Sequence, residues 1–292
     1  MSSTVPDPPP PQSLPPEPTP EPGSTASAPA LRRLRWGSPF SWLGAGMRDM
    51  RAAWPVSLFF GLAFWGMAVA VGAVFRGRPE YTMTLVSGCF LVGPFLAMGL
   101  YEASRRREAG LPQDLGASLT CWDRRMGSMA MLVLVLLVLE LLWGRASLVV
   151  FAVFFQSGMP TATGVAQAVF NPENYEFLAV YLVVGGIFAG LVFATCVISI
   201  PMILDRDTDA VTAGLRSIQL ALAQPGVMLL WGALIVGLTL AAIALPWACG
   251  LMVVAPWLGH ATWHAYRDAV DMAPLPIRSG PASAPTTGPN AA

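Results

Sequence analysis

The sequence predicts an all-α, polytopic membrane protein, with six transmembrane helices in three repeats of an amphipathic helix followed by a helical hairpin. Three observations carry this reading. Hydrophobic residues occupy 54% of the 292 positions and charged residues only 12%, against about 25% charge in an ordinary soluble domain. Uncharged runs recur that are long enough to cross about 30 Å of hydrocarbon. All 17 basic residues are arginines, clustered beside those runs, so a formal net charge of zero hides a strong segregation.

Taken in order, residues 1–33 form a Pro-rich tail with too few large apolar side chains to repay ordering. It lacks the charged, apolar and small-residue succession of a secretory signal, so the first span is expected to direct insertion. Ser38-Pro39 reads as an N-cap and first helical residue. Phe40, Leu43, Met47, Met50 and Trp54 then recur at three and four, with Arg48, Asp49 and Arg51 opposite, which describes an amphipathic helix in the headgroup layer. Val56 to Phe75 makes the first span and Thr82 to Tyr101 the second.

The pattern returns at Leu115, Leu119, Trp122 and Met126, before the apolar run Met126 to Leu142. It returns again at Val211, Leu215, Ile218 and Leu222, before Pro225 and the run Val227 to Leu245. Leu245 and Pro246 join two apolar runs without a charged loop, so a tight hairpin is expected there with Trp247 at the interface. The stretch Ala146 to Gln156 continues apolar after Gly144 and Arg145. It predicts either one long helix or a span followed by an interfacial piece. The membrane domain covers residues 34–270, and residues 271–292 form a second tail.

With six spans, fourteen arginines fall on one side and only Arg76, Arg78 and Arg145 on the other. The positive-inside rule then places both termini in the cytoplasm. Anionic lipid headgroups are the partners this implies, with membrane-protein partners also possible on this pattern and no nucleic acid expected.

Two stretches resemble each other, GPFLAMGLYEASRRREAG from Gly93 and APWLGHATWHAYR from Ala255; a third, SIPMILDRDTD, ends similarly. Pro94, Pro201 and Pro256 each remove a helical hydrogen bond and predict bends. The three exits would bring Glu102, Arg105, Asp205, Asp209, His260, His264 and Arg267 to one cytoplasmic face. His260 and His264, four apart on one helical face, form a weak candidate for a divalent metal site, since HxxxH without a zincin glutamate more often anchors a helix end. No other cofactor is expected. Asp207 or Thr208 is expected to cap the helix that follows Asp205. Glu140 is a carboxylate inside an apolar run. It reads as an interfacial partner of Arg145, or as an intramembrane site if the helix runs unbroken to Phe155.

Two histidines a turn apart cannot clasp one haem from opposite faces, nor supply a haem-copper centre. Ala210 and Arg216 stand where a calcium loop needs glycine and glutamate. Four cysteines without CxxC spacing give no disulfide framework, and no phosphate-binding loop or nucleophile elbow occurs.

The stretches GMRDMRAAWPVSL, GPFLAMGLYEASRRREAG, PMILDRDTDAVTA and LGHATWHAYRD, in that order between Leu34 and Val270, resemble a bacterial integral-membrane family catalogued as a domain of unknown function. Some of its members carry a cytochrome c oxidase subunit label. The resemblance implies a six-helix inner-membrane protein. More loosely, the three-hairpin plan looks like membrane domains attached to some glycerophosphodiesterases. The expected role is a non-enzymatic module that binds lipid or protein. A small permease and a metal-binding accessory of respiratory assembly are the alternatives.

Overall fold

The computed structural model describes residues 31–78, 81–155, 174–206 and 208–270; of the two tails, residues 1–30 and 271–292 lie outside them, while residues 31–33 lie inside. The described residues form helices joined by short turns and irregular links, with one isolated bridge between Leu31 and Val270. Helix α1 covers Ser38–Ala52, α2 Trp54–Gly77, α3 Thr82–Glu108, α4 Leu115–Thr120 and α5 Met126–Phe154. Then come α6 (Tyr175–Cys196), α7 (Ser199–Asp205), α8 (Ala210–Ala223), α9 (Pro225–Ala244) and α10 (Leu251–Ala269). Among the described residues, five helical stretches are long and apolar enough to cross a membrane: α2, α3, α5, α6 with α7, and α9.

Each of the three amphipathic segments is helical and leads into a span. In each, the buried stripe is not the apolar one that carries the periodicity. In α1 the buried stripe is Ser38, Pro39, Trp42, Gly46 and Asp49, while Phe40 and Trp54 stay exposed. The reason is close approach to α10: a Cβ at Gly46 would lie 2.6 Å from the backbone nitrogen of Ala261. Only the small-residue stripe lets the two backbones meet. The N-cap is Gly37 rather than Ser38, whose hydroxyl instead accepts from Arg35 N at 3.3 Å.

The prolines act unequally. Pro201 sits where the run from Tyr175 breaks into α6 and α7; lacking an N–H, it leaves the Val197 carbonyl four residues back without its helical partner. Pro94 and Pro256 lie inside uninterrupted α3 and α10. Pro256 likewise frees the Met252 carbonyl, and that oxygen lies against Gly61 of α2, where any Cβ would overlap it.

Helix α5 is a single piece of 29 residues, which settles the path from Ala146 to Phe154 in favour of one long helix. It pairs with α6 through rings: Trp143 with Tyr181 and Phe188, and Phe151, Phe154 and Phe155 with Phe177. The turn after α9 is a single 3-10 turn, Pro246–Ala248, with exposed Trp247 at φ 57°. Trp65 Nε1 donates to the Trp247 carbonyl at 2.9 Å, and the Arg76 guanidinium stands 5.7 Å above its ring.

Helix α10 packs against α1, α2, α3 and α9. It ends where α9 begins: Gln224, at the start of α9, accepts from Leu34 N and donates to the Arg32 carbonyl, and Arg32 N donates to the carbonyl of Ala269. Both ends of the described chain therefore meet at one arginine-rich end of the bundle.

Candidate functional site

The C-terminal ends of α3, α7 and α10 converge. The residues that join them are mostly not those expected. Arg267 of α10 bridges Glu108 of α3 at 2.5 Å and Asp205 of α7 at 3.8 Å. Tyr266 donates its hydroxyl to Asp205 at 2.7 Å, and Trp263 Nε1 donates to Glu108 at 3.1 Å. Glu102 does not reach Asp205 or His264. It is buried, and it accepts two hydrogen bonds from Arg105 on its own helix, at 2.7 and 2.8 Å, with Arg106 at 4.0 Å. Asp209 stands apart as well. It, and not Thr208, caps α8 by accepting from Thr212 N at 2.9 Å, and that backbone hydrogen bond holds its carboxyl below the usual range. Asp207 lies outside the described residues.

The two histidines turn to different partners. His260 is fully buried, with Nε2 2.9 Å from the Ser57 hydroxyl of α2 and Nδ1 2.8 Å from the Ser104 hydroxyl of α3. Both ring nitrogens are thus engaged. His264 Nε2 lies 2.9 Å from Asp49 Oδ2 of α1, whose other oxygen pairs with Arg107 of α3. No group of three or more His, Cys, Asp or Glu side chains able to hold a metal occurs among the described residues. The four cysteines are free thiols.

Asp49 is the electrostatic centre of this cluster. Burial pushes its carboxyl pKa up, but hydrogen bonds from His264 and Ser104 and the charges of His264 and Arg107 outweigh that and hold it below the ordinary value. Through Asp49, Arg107, His264 and the His260 hydroxyl pair, one polar knot ties α1, α2, α3 and α10 together. Trp42 Nε1 adds a bond to Asp268 at 3.0 Å. Such a knot locks helices.

Sequence reasoning missed Asp49, Ser57, Ser104 and Glu108 as site residues. For Asp49 the available signal was the spacing Trp42, Gly46, Asp49, Ala53, a stripe broken by glycine that marks close packing better than the apolar stripe beside it.

Glu140 accepts a hydrogen bond from Ser87 of α3 at 2.5 Å, and no ion pair joins it to Arg145, which is exposed. At 1.5 Å per residue Glu140 lies about 21 Å along α5 from Met126, and Arg145 about 28 Å.

No curated protein and no solved structure matches the chain. The segment from α3 to the end of α7, which includes the Glu102 exit, the Glu140–Ser87 pair and Asp205, has a family match that leaves out α1, α2 and α8 to α10. Over residues 82–205 the chain matches DUF2189, a family of unknown function described as predicted integral membrane protein.

Proposed function

We propose that this is a non-enzymatic membrane module that crosses a bacterial inner membrane six times, keeps its arginine-rich end in the cytoplasm and there holds anionic lipid headgroups. Six crossings follow if α9 crosses, because α10 returns to the end where α9 starts. The fourteen-to-three arginine split supports the orientation.

The observation that carries the lipid reading is how the arginines are employed. Arg105, Arg107 and Arg267 are engaged with carboxylates inside the bundle. Arg32, Arg33, Arg35, Arg48 and Arg51 are exposed around α1, interleaved with exposed Trp36, Phe40 and Trp54. Guanidiniums beside aromatic rings at a membrane surface suit phosphate headgroups, each cation contributing about 1 kcal/mol near an anionic leaflet. The test is lipid retention by the full chain in nanodiscs of mixed phosphatidylglycerol and phosphatidylcholine. Changing those five arginines to glutamine is expected to abolish enrichment of phosphatidylglycerol around the protein. Unchanged enrichment would refute the reading.

A second reading, a small permease, draws support from Glu140 hydrogen-bonded to Ser87 within an unbroken apolar helix, since an ionisable side chain inside an apolar span is costly and substrate pathways are among its established uses. Solute flux into proteoliposomes that disappears in Glu140→Gln would favour it.

A further inference from the structure

Helix α8 is amphipathic in an unusual sense. Its inner face, Ala210, Ala213, Gly214, Ser217 and Leu220, is buried, yet its outer face presents Val211, Leu215 and Leu222, the last 76% exposed. It lies against α5, α6 and α7 at the arginine-rich end. An apolar outer face there belongs at the boundary between headgroups and acyl chains. Between α8 and α5 runs a cleft of about 200 Å³, its walls formed by Met131, Leu132 and Val135 on one side and Val211, Gly214 and Leu215 on the other. Met131 and Val135 lie about 8 and 14 Å along α5 from Met126, a depth that acyl chains of the adjacent leaflet occupy.

We propose that this cleft is a specific phospholipid site that seats one acyl chain of an anionic glycerophospholipid, with the headgroup at α8 beside Arg216. Water gains nothing in so apolar a cleft, and leaving it empty forfeits dispersion contacts along both walls. A hydrocarbon chain satisfies both conditions. Arg216 follows Leu215 on α8 and holds Gln219 at 3.0 Å; Arg125, at the start of α5, donates to the Arg206 carbonyl at 3.0 Å. One guanidinium thus follows the wall residue Leu215 directly and the other precedes the wall residue Met131 on α5, an order along both helices that complements a phosphate diester at the surface and an alkyl chain below it. Chains held between two helices exchange more slowly than those in the surrounding annulus. This inference rests on the reading that the arginine-rich end binds anionic lipid, but it concerns different residues from the cluster around α1.

The two are separable by native mass spectrometry of the full chain, exchanged into lipid-free detergent after reconstitution with phosphatidylglycerol and phosphatidylcholine. Gly214→Leu fills the cleft; its Cβ would meet nothing nearer than the Thr195 methyl at 4.0 Å. It is expected to lower the occupancy of one tightly held phosphatidylglycerol at least about tenfold, while the five-arginine variant retains that lipid. Arg216→Gln is expected to keep a lipid but lose the preference for phosphatidylglycerol. Equal occupancy in wild type and Gly214→Leu would overturn the site; loss of enrichment only in the five-arginine variant would leave the earlier reading standing without it. Should Gly214→Leu not fold, bimane on Leu215→Cys, with the native cysteines replaced by alanine, decides. Quenching by chain-brominated phosphatidylglycerol should outlast dilution into unbrominated lipid, unlike quenching at Leu222→Cys, and equal loss at both positions overturns the proposal.

Discussion

Replacing Asp49 by asparagine tests the polar knot, because the side chain keeps its shape and loses only its charge. Arg107 then faces no carboxylate, and His264 loses an anionic partner. Exposed ion pairs contribute about 0–1 kcal/mol, whereas breaking a buried pair costs about 3–5 kcal/mol. The Asp49 side chain is 9% exposed, but those of Arg107 and His264 are 37% and 27% exposed, so the stranded cation can reach water. A loss of about 2 kcal/mol follows, and at about 2–4 °C per kcal/mol the melting midpoint should fall by about 4–8 °C. The assay is the heated, detergent-solubilised protein resolved by size exclusion. The pH dependence has a fixed sign. Because the folded carboxyl titrates below its ordinary value of about 3.9, its contribution is complete above that value and fades as pH falls through the folded pKa. The wild type should therefore lose stability more steeply than Asp49→Asn below about pH 4. The reasoning fails if the midpoint moves by less than about 1 °C, or if Asp49→Asn and Arg107→Gln simply add instead of coupling.

Gly61→Ala should destabilise by about 1–3 kcal/mol, since the new methyl meets the Met252 carbonyl, which is backbone and cannot swing away; Gly66→Ala on the same helix, with open space around it, serves as the silent control. Pro201→Ala restores the donor for the Val197 carbonyl and should fuse α6 with α7, moving Asp205 away from Tyr266. Tyr266→Phe, expected to cost about 1 kcal/mol in the native chain, should then cost nothing, and an unchanged penalty would show that the break does not place Asp205. Topology reporters fused after residues 110 and 270 should both read as cytoplasmic; an external reading at either would reverse the proposed orientation.

Periodicity and arginine clustering were enough to place the starts of α2, α3, α5 and α9 within a few positions, because a bilayer leaves few alternatives to long apolar helices, but α3 runs on past Tyr101 to Glu108 and α5 past Leu142 to Phe154. They could not say which stripe of α1 faces inward. In a soluble protein the apolar stripe, Phe40, Leu43, Met47, would be the buried one. At a membrane surface lipid accepts Phe40, so the inward face is chosen by whatever permits backbone contact, here Gly46 against Ala261. The site divided along the same line. Glu102 pairs with Arg105 one turn away, a local choice that spacing alone does not rank above a distant one. Asp49 lay outside the repeated motif and became central only through tertiary approach.

Helix α10 carries the argument furthest. Two histidines, an arginine and an aspartate in its last ten residues keep it out of the set of helices apolar enough to cross alone. Yet His260, Trp263 and Tyr266 are among the most buried side chains of the protein. The two facts agree once the neighbours are counted as its solvent: Ser57 and Ser104 satisfy His260, Asp49 satisfies His264, and Glu108 with Asp205 answer Arg267. Polar groups that lipid would reject are tolerated where protein supplies their hydrogen bonds. The amphipathic α1 is then a side wall that covers the polar end of α10 while its own outer face carries arginines to the headgroups. Removing α1 should leave α10 unable to stay in register, whereas shortening the tail before Leu31 should not. Comparing folded yield of chains starting at residue 31 and at residue 54 decides it, and equal yields would show that α10 needs no such wall.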